Sequence, residues 1–232
     1  MLPLSSRSCP SSVRLYHEHP WDVSPKEAVA IQRDLAGLVR FEPFPSRIDT
    51  VCGVDVSVRD DRVRTALVVL NLPSLEVVDQ ATWEGPTAFP YVPGLLSFRE
   101  MPAILPALDA LTVEPDVFML DAQGYAHPRR FGLACHLGVL LDIPAIGVAK
   151  TILVGRHGPL VAEKGSYADL EHKGEVVGRA LRTREGVKPV YVSVGHRATL
   201  DDATALALFC ATRYKLPQPT HLAHRLSKYG KL

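Results

Sequence analysis

Thr50-Val-Cys-Gly-Val-Asp-Val-Ser-Val-Arg59 is a valine-rich run. Asp60-Asp61 separates it from a second apolar run, Val63–Leu70, and Asn71-Leu-Pro-Ser74 separates that from a third, Leu75–Trp83. Branched side chains favour the pleated strand, and separators this short join strands as antiparallel hairpins. The first run also holds a residue that strands usually avoid. Alternation puts Val51, Gly53, Asp55 and Ser57 on one face and Cys52, Val54, Val56 and Val58 on the other, so Asp55 lies on the face able to be polar.

Downstream of the hairpins the pattern changes. A helix is predicted from about Leu95 to Leu111, across Pro102 and Pro106, then strand Asp116–Leu120, helix Arg129–Leu141 and strand Ile143–Ala149. Strands alternating with helices imply parallel crossovers. Upstream, Ser24-Pro-Lys-Glu27 reads as N-cap, first-turn proline and capping-box glutamate, and Ala28, Ile31, Leu35 and Leu38 continue a helix to near Arg40. Val176–Leu181 and Val190–Val194 form a further strand pair. Thr199 with Asp202 caps a helix to about Tyr214, and a short last helix covers His221–Lys228. Three antiparallel strands followed by parallel ones, in one mixed sheet flanked by helices, make the α/β arrangement called ribonuclease H-like.

With 232 residues, 47% of them hydrophobic, the chain can bury one large core. Residues 21–232 read as a single domain and the Ser-, Pro- and His-rich residues 1–20 as a flexible tail. That tail lacks the apolar block of a signal peptide, and no run is long enough to span a bilayer, so a soluble, cytoplasmic monomer is expected. Cys9, Cys52, Cys135 and Cys210 are too scattered for a zinc site or a disulfide framework and read as thiols in or near the core. The net charge of +1 is uninformative, but from Ala211 to Leu232 stand Arg213, Lys215, Arg225, Lys228 and Lys231 with no Asp or Glu. Such a segment is either a solvated helix face or a surface for a phosphate backbone.

Three carboxylates stand in apolar surroundings: Asp55 in the first strand, Glu100 after Tyr91-Val-Pro-Gly-Leu-Leu-Ser-Phe-Arg99, and Asp121 closing Val117-Phe-Met-Leu120. Ionised carboxylates so placed must be paired or must hold a metal. Asp121 ends a strand, where α/β sheets bind ligands. Glu100 shares a helical face with Leu96, Ala103, Ile104 and Ala107 and so turns inward. Oxygen-only ligation by Asp55 and Asp121, with Glu100 directly or through water, suits Mg²⁺ or Mn²⁺. Lys150 follows the strand ending at Ala149, where an ammonium can offset charge on a phosphate. His127 and His224 are the histidines placed to move protons, whereas His17, His19, His157 and His172 lie in polar contexts that indicate no chemistry.

These motifs together resemble the endonuclease V family: Gly53-Val-Asp-Val-Ser57, Pro90-Tyr-Val-Pro-Gly-Leu-Leu-Ser-Phe-Arg-Glu100, Asp121-Ala-Gln-Gly-Tyr-Ala-His-Pro-Arg-Arg130, Gly147-Val-Ala-Lys150 and Ala223-His224, in this order. The resemblance implies a ribonuclease H-like nuclease that cuts the second phosphodiester bond 3′ to a deaminated purine, leaving the base in place and a 5′-phosphate end. Asp55 and Asp121 would hold the metal with Glu100 as a further acidic member, His224 would carry protons or bind a second metal, and Lys150 would face the reacting phosphate. Pro90, Tyr91, Val92 and Pro93 match the family's strand-separating wedge, and the flipped hypoxanthine would sit near Gly94, Leu96, Ala122 and Leu153 with His127 close by. The family pattern has Gly where Ala122 stands, which would narrow the pocket, and Arg is more usual at His221. The expected partner is DNA containing deoxyinosine, with inosine in RNA as the alternative. Another ribonuclease H-like nuclease and a catalytically silent nucleic-acid-binding protein are the rival readings. The Tyr91 wedge argues against the first, and the full set of acidic residues against the second.

Overall fold

The computed structural model describes residues 14–232. The valine-rich run becomes strand β1 (Thr50–Arg59), turned by Asp60-Asp61 into β2 (Arg62–Asn71), which pairs antiparallel with Arg59 opposite Arg62. Both turn residues have positive φ, 49° and 57°, the geometry that matches the twist of a two-residue hairpin. β3 (Val77–Pro86) adds to β2 antiparallel. On its other side β1 runs parallel to β4 (Val117–Leu120), and β4 runs parallel to β5 (Ala145–Ala149).

The later strands join the same sheet. β8 (Val190–His196) pairs antiparallel with β5, and β7 (Glu175–Leu181) and β6 (Tyr167–His172) extend the edge, giving the order β3-β2-β1-β4-β5-β8-β7-β6. This mixed sheet with helices on both faces is the ribonuclease H-like arrangement read from the sequence. β6 is the strand that the sequence did not announce: of its residues only Leu170 is buried, so it carries almost no apolar pattern.

Helices α2 (Leu96–Leu108) and α3 (Leu133–Leu141) cover the face bearing Cys52 and Val54. Helix α1 (Pro25–Ala36), with the Ser24–Glu27 capping box formed, lies beside α3. Helices α4 (Leu200–Phe209) and α5 (Gln218–Tyr229) cover the opposite face, where Val51 packs with Ala207, Ala223 and Leu226. The predicted helices over 129–141 and 199–214 are shorter than expected. Pro128 and the left-handed Arg130 (φ 59°) hold the first residues in a turn closed by Gly132 N–H to the Gly124 carbonyl, and Gln218 N–H folds back on the Cys210 carbonyl.

Part of the expected tail is described. Tyr16 N–H donates to the Leu140 carbonyl at 2.8 Å, and the His19 and His136 Nε2 atoms lie 2.7 Å apart beside Trp21 and Phe98. Residues 1–13, Cys9 included, lie outside the described residues. Cys52, Cys135 and Cys210 are free and buried, as core thiols should be. Among the described residues no helix is long and apolar enough to cross a membrane.

One contact positions the functional end of the sheet. A Cβ on Gly53 would fall 2.1 Å from the Pro219 carbonyl oxygen, so only glycine lets the first turn of α5 press onto β1. Gly53→Ala is therefore expected to push α5 outward and lower stability by about 1–3 kcal/mol, as overpacking does. Urea unfolding measures this, and a variant as stable as the parent would show that the approach is not tight.

Candidate active site

The close approach of α5 carries its next turns past Asp55. The Ser227 hydroxyl donates to Asp55 Oδ2, and His224 Nδ1 lies 3.4 Å from the same oxygen. Asp55 is 9% exposed, on the face that strand alternation assigned to it. Across the β1–β4 pairing, Asp121 follows directly on β4, where its backbone N–H donates to the Val54 carbonyl. Lys150 follows β5 in the same way, and its ammonium pairs with Asp121 Oδ2. The carboxyl ends of adjacent parallel strands thus bring together residues far apart in the chain.

Asp55, Asp121 and His224 each offer a ligand atom, all within 4.8 Å of one another. Glu100 is not one of these three, but it is buried behind them on α2. Burial foremost, then the charges of Asp55 and Asp121, push its carboxyl well above the usual range. Burial likewise raises Asp121 to about 6, against the opposing pull of Lys150 and with Asp55 adding to the rise. A divalent cation fits this set. Buried His224 Nδ1 has no hydrogen-bond partner although it faces Asp55, and the oxygens collect more negative charge than Lys150 alone offsets. The sequence grouped Glu100 with the aspartates and left His224 as a proton carrier or second-site ligand; in the structure it is His224, not Glu100, that completes the close group with them.

A cavity of about 590 Å³ opens beside these residues. Tyr91, Val92, Pro93, Gly94 and Leu96 form one wall, Ala122, Gln123 and His127 another, and Ile152 and Leu153 a third, while Asp55, Asp121, Lys150 and His224 also line it. Every residue that the resemblance assigned to base binding lines this space except Pro90, which precedes the wall and is exposed. Tyr91 is 70% exposed, an unusual position for an aromatic ring with no partner in its own core. Arg99 lies 6.0 Å from its ring centre.

His127 does not have the freedom of a proton carrier. Its Nε2 is 3.0 Å from the Gly94 carbonyl oxygen, and its Nδ1 accepts from Arg129 N–H at 3.2 Å. Burial foremost, then neighbouring Arg129, lowers it to about 4, so the ring is a neutral prop at ordinary pH. The same carbonyl accepts from Gln32 Nε2 at 3.1 Å and from Arg129 Nη2 at 2.5 Å, and Gln32 Oε1 accepts from Arg129 Nε at 2.6 Å. Sequence reasoning missed Gln32 and Ser227. The one available signal was a lone glutamine on the apolar side of α1, one residue past Ile31.

The Endonuclease V family profile matches residues 33–225. An endonuclease V of Roseiflexus castenholzii is 50% identical over 216 residues, covering 93% of this chain and 97% of that protein. The chain belongs to the endonuclease V family. Among solved structures, endonuclease V of Streptomyces avermitilis superposes with a TM-score of 0.87 at 47% identity, covering 95% of this chain and 97% of that one. That of Ciona intestinalis, in complex with a 24mer DNA containing an inosine followed by a ribo-adenosine, gives 0.76 at 28% identity, covering 88% of this chain and 96% of its own. All five motifs that carried the resemblance lie within the matched residues, and each contributes a residue to one cleft.

Asp121 and Glu100 hold their protons more tightly folded than unfolded. Without a cation, the stability they contribute is complete below the ordinary carboxylate range and is lost as pH rises, for Asp121 through about 6. A divalent cation should reverse that loss. Mg²⁺ or Mn²⁺ at about a hundredfold excess over Kd should stabilise the protein by about 2.7 kcal/mol at pH 7.5 and by much less at pH 5, read as a shift in melting temperature. An equal shift in Asp121→Asn would place the ion elsewhere.

Proposed function

We propose that this chain is a Mg²⁺- or Mn²⁺-dependent endonuclease. It takes a deaminated purine, hypoxanthine in deoxyinosine, into the cavity beside Tyr91 and hydrolyses the second phosphodiester bond on the 3′ side, opening a DNA repair event in the cytoplasm. The observation that carries this reading is one continuous cleft. A base-sized pocket with an exposed aromatic ring at its edge shares its walls with the Asp55–Asp121–His224 group. The inosine-containing DNA bound to the Ciona intestinalis relative supports the choice of base. The single sheet of residues 50–196 with its covering helices supports one catalytic unit over 21–232, and we propose that it works as a monomer.

Asp55 and Asp121 would hold the cation, with His224 Nδ1 beside them and Glu100 behind, reaching it through water. When bound, the cation would activate the attacking water and offset negative charge on the attacked phosphate. Ser227 keeps the Asp55 carboxylate oriented. The Lys150 ammonium, partly exposed in the cleft, offsets charge on a non-bridging phosphate oxygen. With Nδ1 turned towards Asp55, His224 is left with Nε2 to relay a proton to the departing 3′ oxygen, taking one in from solvent as it gives one up. Water adds across the P–O3′ bond, yielding a 3′-hydroxyl and a 5′-phosphate.

Tyr91 supplies the stacking surface that an extruded base leaves behind, on a loop that Pro90 and Pro93 stiffen. The Gly94 carbonyl, held by Gln32, His127 and Arg129, fixes that loop against the pocket. The Ala122 methyl sits in the wall, 6% exposed, and narrows the space for the base. Inosine in RNA is the second reading, since the same metal chemistry serves both backbones.

End-labelled DNA and RNA oligonucleotides, each with one inosine, incubated with Mg²⁺ and mapped for cut position, test this function. Cleavage of the DNA two phosphates beyond the lesion is expected; cleavage of inosine-free strands at equal rate would sink it. Asp55→Ala and Asp121→Ala should each abolish cleavage and retain binding to inosine DNA, and substantial Mg²⁺-dependent cutting by either would remove that residue from the metal set. Tyr91→Ala should lower the preference for inosine duplexes by about 1–3 kcal/mol, the range for one base–aromatic stack, and affect single strands less. Equal losses on both would mean that the ring does not separate strands.

A further inference from the structure

The cleft described above does not account for a second group of cations at the same end of the sheet. β5 and β8 are antiparallel with Ala149 opposite Tyr191, so Lys188, in the turn before Val190, stands at the end of the sheet where Lys150 emerges. Lys215, between α4 and α5, is brought there by its own carbonyl, which accepts from Thr183 Oγ1 at 2.6 Å just beyond β7. Burial foremost, then the charges of Lys188 and Lys150, hold the Lys215 ammonium below its usual range, and Asp121 is near enough to oppose them. Neither Lys188 nor Lys215 lines the base-sized cavity. Among the described residues the only lysine in an ion pair is Lys150, with Asp121. Asp121 offsets Lys150 directly, whereas Lys188 and Lys215 have no carboxylate of their own within ion-pair distance among the described residues, and a polyanion would relieve the repulsion left between them.

Their place in the fold gives this group a direction. The wall carrying Tyr91, Gly94 and Leu96 leads into α2 on one face of the sheet, whereas α4 and α5, which flank Lys215, cover the other. Asp121 lies at the end of β4, between the two. The cavity reaches α5 only through His224 and Lys228; a strand whose lesion sits in it and whose second 3′ phosphate lies at the Asp55–Asp121 group, followed onward in the same sense, runs 3′ of the cut onto the α4–α5 face.

We infer that Lys188 and Lys215 form a phosphate subsite for the strand 3′ of the scissile bond, the segment that leaves with the new 5′-phosphate. The subsite rests on the pocket and cut position proposed above. It reads charge and not bases, so it contributes affinity and salt dependence without choosing the lesion.

Binding of single-stranded inosine oligonucleotides to the full chain and to the Lys188→Gln/Lys215→Gln double variant, without divalent metal and over a salt series, tests this. On an oligonucleotide with a long 3′ arm the variant should bind about tenfold more weakly at low salt, with a slope shallower by about 1.4, the value for two phosphate contacts on a single strand. Ending the oligonucleotide two nucleotides 3′ of the inosine should bring the two proteins within about twofold, while trimming the 5′ arm should leave the difference intact. Equal loss with either arm trimmed, or a difference that follows the 5′ arm, overturns the subsite while leaving the pocket reading untouched. An unaltered chain that binds inosine no better than adenine sinks the pocket reading, and the 3′ assignment with it. Lys188→Arg/Lys215→Arg should bind like the parent; a loss equal to that of the glutamine pair would mean that packing, not charge, had been removed.

Discussion

Gathering carboxylates in a place with little water is the constraint on which this end of the molecule depends. Asp55 and Asp121 sit at adjacent strand positions, and Glu100 lies behind them with its proton held by burial. Close carboxylates cannot all ionise at low cost unless a positive charge lies among them. Lys150 supplies one, and the orphaned Nδ1 of His224 marks where a divalent ion would supply more. The surrounding core keeps this arrangement from relaxing. Val54 and Leu120 are buried beside it, and Gly53 lets α5 close over Asp55.

The second rigid feature is the Gly94 carbonyl. Three side chains from separate parts of the chain, Gln32, His127 and Arg129, converge on a single oxygen, so the loop bearing Tyr91 is tied both to α1 and to the segment after β4. This explains why a neutral histidine belongs at the pocket. A charged ring beside Arg129 would be repelled, whereas a neutral one can donate from one nitrogen and accept at the other. The cleft therefore pairs a stiff wall with an acidic centre built on strand ends, and the two rest on different elements.

What the sequence by itself determined is what local pattern can encode. The alternation in 50–59 and the short turn at Asp60-Asp61 made the hairpin, the capping box at Ser24 opened α1, and the apolar runs ending at Asp121 and Lys150 placed both at strand ends. Strand alternation and helical spacing were enough to turn Asp55 and Glu100 inward. The ordered motifs then identified the family, because each lies on or directly beside an element that the pattern had already placed.

Tertiary structure decided whatever depends on residues distant in the chain. Ser227 meets Asp55 across 172 positions, and Gln32 meets Gly94 across 62. No periodicity links such pairs, since they meet only when α5 packs on β1 and α1 settles beside α3. The order of His224 and Glu100 around the aspartates, the engagement of both His127 nitrogens and the place of β6 at the sheet edge are of the same kind. Each follows from how finished elements pack, a competition over burial and hydrogen bonding that no single segment carries in its own residues.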